Sequence, residues 1–126
     1  MRILLDTHLL LWWLEASPSL SEEAGDIIRD PENTIFVSAV SLWEIRLKHS
    51  LGKLRLPPNF VERLAAESFE SLSLTASQTS QVSHLPWRHR DPFDRMLVAQ
   101  AQVEKLVLLT ADEILTEYGA AVLLAR

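Results

Sequence analysis

The sequence predicts an α/β fold: a mainly parallel sheet covered on both faces by helices. Strand-like and helix-like runs alternate along the 126 residues in the order βααβαα(β)ααβαβ. The runs Arg2–Leu5, Thr34–Val37 and Leu106–Leu109 are apolar without two-residue alternation, the pattern of strands buried on both sides. No repeat, low-complexity tract or long linker divides the chain, so residues 1–126 are expected to form one domain around a single core.

Arg2–Leu5 is short and apolar and stops at Asp6, which reads as a buried strand with a carboxylate at its carboxyl end. Asp6-Thr7 can cap a helix over Leu9–Glu15, with Pro18 as its stop. Ser19-Leu20-Ser21-Glu22 fits a capping box and predicts a second helix from about Leu20 to Arg29. Asp30-Pro31-Glu32-Asn33 is turn material, and Thr-Ile-Phe-Val at 34–37 is β-branched and aromatic, hence a strand. Ser38 then caps a helix over Ala39–Ser50, where Val40, Trp43 and Leu47 are expected to share one face with Glu44 beside them.

Gly52 and Pro57-Pro58 break the chain again. An amphipathic helix is expected over Asn59–Phe69, a strand over Ser71–Thr75, and a weaker helix over Ala76–His84. Trp87-Arg88-His89-Arg90-Asp91 is an irregular basic loop. Asp91 caps, and Pro92 opens, a largely apolar helix that runs to Lys105. After the strand Leu106–Leu109 come Thr110-Ala111-Asp112, a short helix to Tyr118 ended by Gly119, and a last strand over Ala120–Leu124.

Composition excludes several classes. There is no cysteine, which rules out disulfide scaffolds and thiol chemistry and fits a reducing, cytoplasmic setting. Asp6 and His8 interrupt the first apolar stretch and Glu15 closes it, so an export signal is not expected. No run approaches the roughly 20 apolar residues of a membrane span. The net charge is −5, so a purely basic nucleic-acid surface is excluded. A nucleic-acid substrate then requires that the acids be gathered at a site where a metal reverses their sign.

Four acids stand where such a site would form. In an open parallel sheet, ligands bind beyond the carboxyl ends of the strands. Asp6 directly follows the first strand and Asp112 follows the fourth by three residues, so the two should converge. Glu44 and Asp94 sit in apolar helices, and an unpaired buried carboxylate costs several kcal/mol, roughly. No lysine or arginine is obviously placed to pair with Glu44. A shared Mg²⁺ or Mn²⁺ would satisfy all four, since oxygen-only ligand sets suit those ions. Such an ion can polarise a phosphodiester and activate water. The loop arginines Arg88 and Arg90, with Arg95 in the helix, flank Asp94 and can contact phosphate, or simply solvate the loop and pair with acids. The four histidines have no mutual metal-ligand spacing and receive no role.

These stretches resemble the PIN-domain family and, within it, the VapC-type ribonuclease toxins of toxin–antitoxin pairs. The resemblance is carried by Leu4-Leu5-Asp6-Thr7-His8, Val37–Ile45 around Glu44, Gly52–Pro57, Asp91–Ala101 around Asp94, and Leu109-Thr110-Ala111-Asp112. It implies an α/β/α sandwich and a Mg²⁺- or Mn²⁺-dependent endoribonuclease. It also implies a homodimer, inhibited by a small antitoxin encoded alongside. Family roles map onto Asp6, Glu44, Asp94 and Asp112 as catalytic residues, with Asp6, Asp94 and Asp112 as metal ligands. Asp91 competes with Asp94 for the third position; Asp94 has the family's spacing to Leu97 and Ala101. Two other readings remain: a different metal-dependent phosphoryl-transfer enzyme, or an inactive interaction module. A haloacid-dehalogenase-like phosphatase would need a second Asp where His8 stands.

Overall fold

The structure is a computed structural model that describes residues 1–126. Five strands, β1 (Arg2–Leu5), β2 (Thr34–Ser38), β3 (Glu70–Leu72), β4 (Val107–Thr110) and β5 (Val122–Leu124), form one sheet in the order β3-β2-β1-β4-β5. Every adjacent pair is parallel. Between them run α1 (Thr7–Glu15), α2 (Glu22–Arg29), α3 (Ala39–Ser50), α4 (Phe60–Ala65), α5 (Ala76–Val82), α6 (Pro92–Glu104) and a 3₁₀ helix (Glu113–Tyr118).

The apolar strands fill both faces of this sheet. Ile3 and Leu5 point into a core shared with α1, α2, Ile45 of α3 and Phe60 of α4. Leu4 and Leu108 point the other way, onto Leu97, Val98 and Ala101 of α6 and Leu115 of the 3₁₀ helix. Continuous hydrophobicity in Ile3-Leu4-Leu5 is thus the consequence of two cores, and the arrangement is the expected α/β/α sandwich.

Several boundaries differ from the sequence expectations, each for a local reason. α1 ends at Glu15 as expected, with Ala16 in the left-handed region at φ 51°, but it begins at Thr7, because Asp6 accepts the His8 N–H as its cap. α2 begins at Glu22, because Ser21 rather than Ser19 caps it by accepting the Ala24 N–H at 3.1 Å. α4 is limited to Phe60–Ala65, since the chain must return to the sheet by Glu70, which pairs with Phe36. β3 stops at Leu72, because Thr75 caps α5. Thr75 Oγ1 accepts the Gln78 N–H at 3.3 Å, and Gln78 Oε1 accepts the Thr75 N–H at 2.9 Å. In α3 the buried face is Val40, Ser41, Glu44 and Ile45, while Trp43 and Leu47 lie on the exposed side.

The sheet order reverses direction at β1, with β2 on one side and β4 on the other. The carboxyl ends of β1 and β4 therefore meet at the switch point, where a crevice is expected.

Candidate active site

Asp6 leaves β1 while still in register with β4. Leu5 is paired with Leu109, and the Asp6 N–H donates to the Leu109 carbonyl at 3.0 Å. This brings Asp6 beside Thr110, whose hydroxyl donates to Asp6 Oδ2 at 2.5 Å. The other oxygen, Oδ1, accepts the His8 N–H at 3.0 Å and caps α1. Asp6 is therefore both a helix cap and a buried carboxylate. Burial raises its pKa against the lowering effect of these two hydrogen bonds, and Glu44 adds to the rise.

Glu44 is 2% exposed on the inner face of α3. It does have a cationic partner, contrary to the sequence expectation: Lys48, one turn on, binds Oε2. The i,i+4 spacing was the available signal. Oε1 remains buried with no hydrogen-bond partner. Around Lys48, partial desolvation lowers its pKa, but the Glu44 hydrogen bond and the charges of Glu44, Asp91 and Asp94 outweigh it, and the net shift is upward. One turn before Glu44, Ser41 accepts the hydroxyl of Thr7 at 2.9 Å, tying α3 to the start of α1.

Asp91 and Asp94 differ in what their carboxylates meet. Asp91 Oδ1 accepts the N–H groups of Phe93 and Asp94, at 2.8 and 3.2 Å, as the cap of α6. Asp94 is buried in the first turn of α6, with its carboxylate turned toward the other acids. Its pKa is pushed up to about 8 by burial first, then by the charges of Asp6, Asp91, Glu44 and Asp112. That ordering places all five acids in one electrostatic field.

Sequence reasoning assigned nothing to His89, yet its Nε2 lies 2.9 Å from Asp94 Oδ2 and 3.5 Å from Asp112 Oδ2. The three form a cluster whose donor atoms lie within 4.8 Å of one another. His89 Nδ1 accepts the Arg90 N–H at 3.1 Å, which leaves Nε2 as the ring atom that faces the two carboxylates. There it can orient Asp94 or offer a nitrogen to an ion. Asp112 uses Oδ1 to accept the Ile114 N–H at 3.0 Å and cap the 3₁₀ helix, which leaves Oδ2 facing the cluster. The Asp112 N–H donates to Thr110 Oγ1 at 3.0 Å, so Thr110 links Asp112 to Asp6.

The three arginines separate. Arg88 and Arg90 are exposed on the loop. Arg95 is 5% exposed and turned away from solvent. Its guanidinium donates to the carbonyls of Pro86, Val82 and Leu85 and to the Tyr118 hydroxyl, at 2.9 to 3.4 Å. A phosphate role for Arg95 is therefore corrected: its donors are spent bracing the loop. Tyr118 completes the brace by accepting the N–H groups of Arg88 and His89 at 3.3 and 3.1 Å.

A divalent cation fits these residues. Glu44 Oε1 lacks any partner, and the Asp94 pKa is raised by burial first and then by the charges of the neighbouring acids. The carboxylates of Asp94 and Asp112 in this cluster, with Asp6 close enough to act on Asp94 through its charge, are oxygen donors of the kind Mg²⁺ and Mn²⁺ prefer. A cleft of about 230 Å³ opens beside them, lined by Asp6, His8, Trp12, Ala111 and Asp112. A second groove of about 340 Å³, lined among others by Val37, Leu42, Leu64 and Phe69, contains none of the four acids, so chemistry rather than size locates the site.

Comparison with known proteins bears on the family and the fold. The family model described as PIN domain matches residues 3–121. A search of curated proteins gave no match. Among solved structures, the chain is similar to VapBC2 from Rickettsia felis, bound to a DNA fragment from its promoter. That likeness has 17% identity and a TM-score of 0.73, over 99% of this chain and 98% of that one. It is also similar to FitAcB from Neisseria gonorrhoeae, with 20% identity, 95% of each chain covered and a TM-score of 0.65. A third is VapBC-5, a toxin–antitoxin system member from Mycobacterium tuberculosis, with 18% identity, coverage of 99% and 98%, and a TM-score of 0.61. At these identities the likeness is one of fold.

Proposed function

Because the chain belongs to the PIN-domain family, we propose that it is a divalent-metal-dependent endoribonuclease acting as the toxin of a toxin–antitoxin pair. What supports the nuclease reading is the grouping of Asp6, Glu44, Asp94 and Asp112 near the switch point of the sheet, where burial and then the charges of the other acids push Asp94 up to about 8. A protein of net charge −5 gathers acids in this way at a cost in repulsion, which a cation removes.

In this reading Asp6, Asp94 and Asp112 hold Mg²⁺ or Mn²⁺, and Glu44 completes the catalytic set from α3. When bound, the ion supplies Lewis-acid polarisation of a phosphate oxygen and a nucleophile at neutral pH. The chain supplies the rest. Thr110 fixes the Asp6 carboxylate from one side, and the His8 N–H fixes it from the other. Lys48 holds one oxygen of Glu44 and leaves Oε1 free to accept a hydrogen bond or a proton. His89 turns Asp94 toward Asp112. Arg88 and Arg90, exposed beside the acids, offer cations to the RNA backbone.

The toxin role is supported by the solved structures of similar fold, several of which are toxin–antitoxin complexes. The implied partners are an RNA substrate, a second copy of the chain and a cognate antitoxin, and the implied setting is the cytoplasm. No helix is long and apolar enough to cross a membrane.

The test is cleavage of a mixed RNA pool by the purified chain with Mg²⁺, with Mn²⁺ and with chelator, beside Asp6→Asn. Metal-dependent cutting that the variant lacks is expected. Cutting that persists in chelator or in Asp6→Asn would overturn the reading.

A further inference from the structure

Trp87 is the most exposed large apolar side chain of the protein, at 77%, and it stands on the loop that delivers His89 to the acids. An indole left in water needs a reason. It is not loose: the Arg95 guanidinium lies over the ring, 3.7 Å from its centroid. Arg95 is itself fixed by three carbonyls and Tyr118. The same two residues hold the backbone on both sides of Trp87, through the Pro86 carbonyl and the Arg88 and His89 N–H groups. The ring is thus held in place before any ligand arrives.

Beside it lies a concave slot of about 290 Å³, lined by Trp87, Val82, Pro92 and Met96, with Arg90 and Arg95 among its walls. An aromatic wall, an apolar floor and a cation suit a flat heteroaromatic group attached to an anion. Two residues of chain span at most about 7 Å, so the Trp87 backbone lies near His89, whose ring meets Asp94, while the slot itself opens along the Arg95 and Met96 side of α6. Unpaired RNA bases are recognised by stacking on rigid aromatic side chains, with arginines on the backbone.

We propose that Trp87 and the slot beside it form a stacking platform for an unpaired base of the bound RNA, with Arg90 on the adjoining phosphate. This rests on the ribonuclease reading above.

The experiment compares the full-length wild type, Trp87→Ala and Trp87→Phe. It reads multiple-turnover cleavage of a single-stranded oligonucleotide from the cut pool, anisotropy of a labelled uncut analogue, and thermal melting. Removing a stacked base typically weakens binding roughly fivefold or more, so KM and the anisotropy Kd should rise by that much in Trp87→Ala while kcat changes less. Trp87→Phe, which keeps a π face, should recover most of the loss, and the melting temperature should hold. Unchanged KM and Kd in Trp87→Ala would overturn the platform. So would a loss confined to kcat and melting temperature, since that would make Trp87 only a brace for Arg95. A docking site for protein would leave every RNA readout unchanged. A wild type that neither binds nor cuts RNA would instead defeat the nuclease reading, and this one with it.

Discussion

The hydroxyl of Thr110 donates to Asp6 Oδ2 at 2.5 Å across 104 residues of sequence, and Thr110 Oγ1 in turn accepts the Asp112 N–H at 3.0 Å. One side chain at the end of β4 therefore sets the positions of the acids that follow both central strands. Parallel pairing of Leu5 with Leu109 makes this contact possible, because it brings the two strand ends level.

Thr110→Val keeps the shape and removes the hydroxyl. Asp6 loses a hydrogen bond to its charged form and the Asp112 N–H loses its acceptor. A hydrogen bond to a charged group contributes about 1.5–3 kcal/mol, so denaturant unfolding near neutral pH should show a loss of that order. Because the Thr110 hydrogen bond lowers the Asp6 pKa, its removal should also shift metal binding to higher pH.

The pH dependence of the metal-free chain follows from Asp94, whose pKa moves from 3.8 to about 8 on folding. Between those values the folded state binds more protons than the unfolded state, so stability falls as pH rises through the window. Melting in chelator should decline from about pH 5 to pH 8, apart from contributions of other groups. Asp94→Asn, which cannot ionise, should flatten that decline, and millimolar Mg²⁺ should raise the wild-type curve most at its alkaline end.

Lys48→Met tests the balance around Glu44. The variant leaves both oxygens of a buried carboxylate without a cation. Melting in chelator should drop, and the gain in melting temperature on adding Mn²⁺ should exceed that of the wild type. An equal gain in both proteins would separate Glu44 from the metal field.

The arginines should behave as two classes. Arg95→Met strips donors from Pro86, Val82, Leu85 and Tyr118, and a buried group left unsatisfied costs about 1–3 kcal/mol, so melting and cleavage should fall together. Arg88→Ala and Arg90→Ala should leave melting unchanged, raise KM and weaken the salt dependence of RNA binding.

Much of this molecule was legible in the sequence because the signals were local or periodic. Apolar runs without alternation marked the parallel strands, and Ser38 and Asp91-Pro92 marked the starts of α3 and α6 to the residue. The ends of α4 and β3 were not, since they depend on the return to Phe36 and on the Thr75 capping box, where tertiary demands outweigh propensity. At the site, Asp6 and Asp112 could be placed from their strands alone. The Glu44–Lys48 pair was overlooked despite its helical spacing. The contacts of His89 and the burial of Arg95 depend on how an irregular loop folds back on α6 and Tyr118, which no periodicity records.

Sharing of an ion by the acids is tested most directly by Mn²⁺ binding to the chain, read from the loss of the free-ion paramagnetic signal. Saturable binding is predicted for the wild type. Changes in supporting groups around a metal typically cost about 10–100-fold in affinity, so Asp6→Asn and Asp94→Asn should each lose at least about tenfold while keeping native circular dichroism. A wild type that leaves the free Mn²⁺ signal undiminished, or variants that bind as tightly as it does, would contradict a metal site built from these carboxylates.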